Sequence, residues 1–322
     1  TGLQPGKQWG DLKYYPNTGI IMKHRLPYNL LISLLRFWAF LPFGILYLIS
    51  DGMYVIVYHI IRYRRRTVRD NLRNSFPEKS DKERSKIERK FYRHLCDCIM
   101  ETIKLLHLTD KEIDKRINVT NGELIDRLAE DGAPVILYLG HYGNWEWTPA
   151  VTRHYTRPSI NGQIYRPLHN CTMEQVMQTI RSRFHTISIP QKSAFRTLLR
   201  MRQENKQFLI GFVADQRPNS GNLHHWTTFL NQDTAYSIGG EEIGKRTDAH
   251  FVYLEIEKRK RGYYQMTFHR ISPSCDADEE DGKEYPYTRQ FMNMLESSIR
   301  HAPEYWLWSH KRWRFSRPAN KN

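Results

Sequence analysis

A histidine and a glutamate stand five residues apart in His141-Tyr142-Gly143-Asn144-Trp145-Glu146, directly after an apolar run, 135–139, that stops at Gly140. A neutral imidazole, with a pKa of about 6.5, takes a proton from an alcohol near neutral pH. A carboxylate on its other ring nitrogen fixes the tautomer and stabilises the imidazolium that forms. No Ser or Cys between them occupies a nucleophile-like position. The pair therefore reads as a general base, His141, oriented by Glu146 and acting on a hydroxyl of the substrate itself. Five residues turn a helix by roughly 140°, and an odd spacing on a strand sends side chains to opposite faces. The two groups converge only if the chain bends between them, as Gly140 and Gly143 permit. Spacing alone leaves a second reading open, a surface loop whose His and Glu face water, because an isolated H-x4-E arises by chance.

The elements that would position such a site alternate along the chain. Residues 135–139, 159–165 and 208–214 read as strands, and helical patterns at 123–130, 172–184 and 193–205 fall between or beside them. A short β-like segment covers 186–189. Alternation of this kind predicts an α/β fold, a mostly parallel mixed sheet flanked by helices. His141, Arg166 and Asp215 then each lie just past the carboxyl end of a strand, the edge where open α/β sheets bind ligands. Further on, 236–247 reads as a helix, 250–257 and 263–271 as a hairpin, and 287–300 as a last helix. Upstream, 80–106 is helical, with Ile87, Phe91, Leu95, Ile99 and Thr102 on one face and Glu101 solvated or in a salt bridge.

Several side chains near those strand ends carry chemistry of their own. Arg166, fixed by Pro167, suits a phosphate or a developing oxyanion, or forms a structural ion pair. Asp215, Gln216 and Arg217 bring an acceptor, an amide and a cation to one strand end, fit to hold a polar headgroup or to support the His–Glu site; a turn-capping Asp is the plainer alternative. His224-His225 resembles a metal pair only superficially, since adjacent side chains diverge, and no metal site is expected. Cys96, Cys98, Cys171 and Cys275 offer neither a zinc spacing nor an unstrained pairing of the first two, and read as reduced thiols. Trp306, Trp308 and Trp313, interleaved with Lys311, Arg312 and Arg314, could stack on bases, but no nucleic-acid module surrounds them, and a core or interfacial place suits them better.

The chain carries 49 basic and 34 acidic residues, a net charge of +15. That balance fits nucleic acid, anionic lipid or an acidic protein partner. Residues 1–21 read as a leader or appended segment, with Met22 as a candidate start. Residues 22–66 read as a membrane-anchoring helical segment and 67–322 as the catalytic domain. The stretch 30–50 has the length to span a bilayer, kinks at Pro42, breaks at Asp51-Gly52 and resumes over 53–61. Arg62, Arg64, Arg65, Arg66, Arg69 and Arg73 outnumber Lys23 and Arg25, which places the body of the chain on the cytoplasmic side.

Four ordered blocks carry a family resemblance: His141-Tyr142-Gly143-Asn144-Trp145-Glu146, Ile164-Tyr165-Arg166-Pro167, Asp215-Gln216-Arg217-Pro218, and the run from Pro303 through Trp306, Trp308, His310 and Arg312 to Trp313. Over about residues 28–315 the chain resembles the bacterial lipid A biosynthesis acyltransferases, the lauroyl/myristoyl branch of the lysophospholipid acyltransferase superfamily. The resemblance implies transfer of a fatty acyl group from acyl carrier protein to a hydroxyl of a lipid A precursor, at the cytoplasmic face of the inner membrane. It implies His141 and Glu146 as the catalytic pair, Asn144, Arg166, Asp215, Gln216 and Arg217 as substrate contacts, and no metal or organic cofactor. Phe229-Leu230-Asn231-Gln232 lacks the glycine of the family's Phe-x-Gly segment, and 222–228 is also atypical. These departures leave the acceptor open to another glycolipid, an aminolipid or a phospholipid. The rival readings are a lysophospholipid acyltransferase using acyl-CoA and, from another class, a membrane-tethered nucleic-acid-binding protein.

Overall fold

The computed structural model describes residues 25–219, 221, 223–273 and 285–317. The expected leader, Cys275 and the acidic stretch 276–281 lie outside the described residues. The strands are β1 (Ile117–Thr120), β2 (Val135–Leu139), β3 (Ile160–Tyr165), β4 (Ile187–Pro190), β5 (Phe208–Val213), β6 (Trp226–Phe229), β7 (Gln232–Ala235), β8 (His250–Lys260) and β9 (Tyr263–Arg270). The α-helices are α1 (Arg25–Phe40), α2 (Phe43–Tyr54), α3 (Arg65–Ser75), α4 (Asp81–Lys104), α5 (Asp110–Arg116), α6 (Glu123–Leu128), α7 (Cys171–Arg181), α8 (Ala194–Gln203), α9 (Gly239–Arg246) and α10 (Pro286–His301).

Among the described residues, seven strands form one sheet in the order β1-β9-β8-β2-β5-β3-β4. Within it only β8 and β9 run antiparallel; every other neighbouring pair is parallel. This is the mostly parallel mixed sheet, flanked by helices, that the alternation predicts. β2 has neighbours on both edges and is covered on both faces, so all five of its residues are buried and it reads as a continuous apolar run. Two features escaped the pattern. β1 is a four-residue strand, too short to show a period. The segment 226–235 folds into a separate antiparallel hairpin of β6 and β7, where the sequence suggested only an atypical lining.

At the amino-terminal side the chain forms a helix pair that breaks at Leu41-Pro42 and not at Asp51-Gly52. Helix α2 runs through that dipeptide into a π-helical turn, Val55–Ile60. Asp51 accepts from Arg261 at 2.7 Å and Ser50 donates to Asp97 at 2.8 Å. Tertiary partners thus take up the polar groups that would otherwise end the helix. One described helical stretch, Phe43–Ile60, is long and apolar enough to cross a membrane, with a mean hydropathy of 1.5 and 28% of it buried. On α1, Leu30, Leu34 and Phe37 recur at helical spacing and are exposed.

Helix α4 opens with a capping box in which Ser80 and Glu83 satisfy each other's backbone N–H. Its inward face is more polar than the apolar spacing suggests. Glu88, Asp97 and Glu101 are buried, whereas Ile99 is 43% exposed. Leu95 and Ile99, expected in the core, instead line a cavity shared with the π-helical turn.

Candidate active site

Register explains how the site assembles. Leu139 at the end of β2 pairs with Val213 at the end of parallel β5, so two residues further on His141 and Asp215 leave the sheet side by side. Gly140 lies where an added Cβ would sit 2.8 Å from Leu295 of α10. Gly143 has φ +60°, and its Cβ would meet Ile256 at 2.6 Å. Those two constraints shape the turn. A strap formed by residues 305–310 then clamps it. Gly143 N–H donates to the Tyr305 carbonyl at 3.0 Å, and Leu307 N–H donates to the His141 carbonyl at 3.1 Å. The strap is itself tied to the amino-terminal helices, for Asn71 of α3 donates to the Trp308 and His310 carbonyls and Arg64, just before α3, to that of Ser309.

The carboxylate on the imidazole is Asp215, not Glu146. His141 Nδ1 lies 2.6 Å from Asp215 Oδ1, and the His141 backbone N–H donates to Oδ2 at 3.0 Å. Trp306 Nε1–H donates to the same Oδ2 at 2.8 Å. Burial would raise the Asp215 pKa, but the neighbouring His141 charge and the hydrogen bonds from His141 and Trp306 outweigh it, and the carboxyl is held below its ordinary value. An ionised carboxylate only accepts, so Nδ1 carries the proton and the Nε2 lone pair is free to act as a base. That lone pair meets the amide of Gln216 at 3.0 Å.

Glu146 is spent elsewhere. Its two oxygens accept from Arg181 Nε at 3.0 Å and from Nη2 at 2.7 Å, a bidentate pair that fixes α7 to the 3-10 helix Trp145–His154. The bend at Gly143 turns Asn144 inward rather than Glu146 back. Asn144 is buried and donates to Glu101 Oε2 at 2.7 Å. Tyr264 and Tyr47 hydroxyls also donate to Glu101. Glu101 is therefore an internal anchor rather than a solvated group, and burial drives its pKa upward. The ring of Trp145, edge-on to His141 at 5.3 Å between centroids, fills the space between His141 and the following helix.

Other expected residues take distinct places. Gln216 touches His141, as above. Arg217 lies over the Phe315 ring at 5.1 Å. Arg166 is exposed at the end of β3, on the far side of β5 from β2. The backbone N–H groups of His141 and Gly143, natural candidates for an oxyanion site, are already bonded to Asp215 and Tyr305. His224 contacts the Gly221 carbonyl, His225 packs on Tyr285, and no cluster able to hold a metal ion occurs among the described residues. Trp306 and Trp308 are buried in the core, and Trp313, half-buried, donates to Thr234. Trp306 as a second donor to Asp215 was not foreseen.

Beside Gln216 opens an apolar cavity of about 470 Å³, lined among others by Val57, Ile61, Leu95, Cys96, Ile99 and Leu307. His141, held by a buried aspartate at the carboxyl edge of the sheet, thus stands one residue, Gln216, from an apolar cavity. The profile of the family described as bacterial lipid A biosynthesis acyltransferase matches residues 22–315. The chain belongs to that family. The acyltransferase is also 22% identical over 276 residues to the lipid A biosynthesis lauroyltransferase of Escherichia coli (strain K12), covering 85% of this chain and 87% of that protein. Within this acyltransferase three of the four sequence blocks meet at one place: hydrogen bonds join His141, Asp215, Gln216 and Trp306, while Glu146 and Arg166 stand apart from them.

Proposed function

We propose that this acyltransferase moves a fatty acyl chain from an acyl thioester, carried by acyl carrier protein, to a hydroxyl of a lipid A precursor or similar glycolipid. One observation carries the reading: His141, its Nδ1 held by Asp215, presents Nε2 to Gln216, which lines an apolar cavity. The acceptor hydroxyl replaces the Gln216 amide at Nε2 and gives up its proton as its oxygen attacks the thioester carbonyl. When the tetrahedral intermediate collapses, the carbon–sulfur bond breaks and the imidazolium returns the proton to the departing thiolate. General-base help of this kind contributes about 10²–10⁴ in rate, and positioning and charge stabilisation contribute the rest.

The exposed apolar side chains of α1 and α2 support action at the cytoplasmic face of the inner membrane. Leu30, Leu34, Phe37, Phe40, Ile45 and Leu48 face away from the protein, and each gains about 1.5–3 kcal/mol when fully buried in lipid. On this reading residues 22–66 anchor the catalytic domain, 67–322. The basic flank serves two ends, because Arg65 and Arg69 pair with Glu88 inside the fold while Arg66 is 97% exposed. The net charge of +15 suits capture of an acidic carrier protein as donor. The test is transfer of acyl chains from acyl carrier protein into a glycolipid acceptor in vesicles, followed by mass spectrometry of the lipids. Wild-type protein is expected to add one acyl group and His141→Ala to lose at least a hundredfold in rate. Equal rates in the two would remove the base, and donor competition by acyl-CoA at equal potency would remove the carrier.

A further inference from the structure

Just past the strap the chain carries a charge that the mechanism leaves unused. Arg312 is 3% exposed, and its Nε and both Nη atoms lack a hydrogen-bond partner among the described residues. Nε of Arg217 is likewise buried without a partner. The two guanidinium groups lie close enough to feel each other, and Arg312 also feels Asp215. Asp215 cannot serve as their counter-ion in full, since its oxygens already accept from the His141 ring, the His141 N–H and the Trp306 indole. His310 shares this environment, and burial pushes its pKa down to about 4, which leaves it neutral. Burial lowers Arg312 only to about 10, so it keeps its proton at neutral pH. The histidine sheds its charge, and Arg312 keeps its own.

A buried cation without an acceptor is costly to retain, and a native fold that keeps one calls for a reason. We propose that Arg217 and Arg312 form an anion subsite beside the His141–Asp215 pair, which takes a phosphoryl group carried by one of the two substrates. The inference deepens the acyltransferase reading and rests on it. Two guanidinium groups match a phosphate in geometry and in charge, whereas a single carboxylate would leave one of them in excess. Arg217, partly exposed, meets the group directly, and Arg312 adds the second charge from behind it. The phosphoryl group belongs to the acceptor's headgroup or to the pantetheine arm of the donor.

The experiment uses the full chain in vesicles and compares wild type, Arg312→Met, Arg312→Lys and Arg217→Gln. Transfer is measured to a phosphorylated glycolipid and its dephosphorylated counterpart, and from acyl donors with and without the pantetheine phosphate. The wild type is expected to prefer one phosphorylated partner, and Arg312→Met and Arg217→Gln to lower that preference, read as the ratio of kcat/KM values, at least tenfold. Arg312→Lys should keep part of it. The arm that loses its preference names the source. Inorganic phosphate provides a readout independent of transfer: it should raise the Tm of wild type and leave that of Arg312→Met unmoved. Arg312→Met should itself hold or raise the Tm, because it removes an unpaired buried charge; a purely structural arginine would lower it. Unchanged preference on both arms, or an equal phosphate shift in wild type and variants, would overturn the subsite. Wild-type protein that responds to phosphate but moves no acyl chain would instead strike at the proposed function.

Discussion

The turn that presents His141 and the amino-terminal helix pair, α1 and α2, are built on opposite terms. In the turn nearly every polar group is spoken for: the His141 backbone binds Asp215 and Leu307, Gly143 binds Tyr305, and Asn144 binds Glu101. In the helix pair the conspicuous groups are apolar and unmatched, with Leu30 and Leu48 at 75% and 72% exposure. The first region is over-determined from within, as a site that must hold one geometry has to be. The second presents apolar side chains that the protein itself leaves uncovered. The two are not independent. Tyr47 of α2 donates to the same Glu101 that holds Asn144, and Arg64 and Asn71 grip the strap that closes on His141. A shift of these helices therefore bears on the pose of His141.

The sharpest way to break this comparison is inside the turn. Asp215→Asn preserves the shape but gives Nδ1 a neutral partner, so the tautomer and the imidazolium lose their support. Acyl transfer should fall by about 10²–10⁴. Glu146→Gln should cost less than tenfold in rate, since its carboxylate holds Arg181, and about 1–3 kcal/mol in stability. Rates and denaturation midpoints of the two variants decide the matter. A Glu146 variant slower than the Asp215 variant would return the orienting role to Glu146.

The second region is tested by removing what lipid is supposed to cover. Leu30→Ser, Leu34→Ser and Phe37→Ser combined should weaken binding to floated vesicles by at least about a thousandfold, given roughly 1.5–3 kcal/mol for each fully buried side chain. The circular dichroism spectrum and the midpoint in detergent should hold, because these residues are exposed in the protein. If binding to vesicles survives, the apolar stripe is not the anchor.

What the sequence made legible follows the same division. Strand β2, strand β5 and the hairpin of β8 and β9 were readable because an apolar run or an alternation is a local signal. So was the convergence of His141 and Asp215 on one sheet edge. Their direct contact was not readable, because it depends on β2 and β5 being neighbours in register, across 74 residues of chain. A nearer acid, Glu146, had the spacing, and nothing local told that Arg181 would claim it. Glu101 was hidden for a related reason: a glutamate on a helix looks solvated until the sheet closes over it. Trp306 was expected in the core or at an interface, and is buried, but its bond to Asp215 spans 91 residues and leaves no local signal. Spacing along a chain finds partners only where the backbone is regular, and this site lies where it is not.

The smallest expected effect concerns the join between the regions. His310 of the strap lines the apolar cavity, and burial lowers its pKa from 6.5 to about 4. Between those values the unfolded chain binds a proton that the folded protein does not, so stability falls as pH drops through that window. Discounted for its partial exposure, the loss is about 1–2 kcal/mol. His310→Gln cannot titrate, and its midpoint between pH 7 and pH 4.5 should fall by that much less than the wild type's. Parallel curves would mean that His310 meets water freely when folded. The strap would then be loose at the point where the cavity meets the base, and the contrast between a closed turn and an open helix pair would have to be redrawn around it.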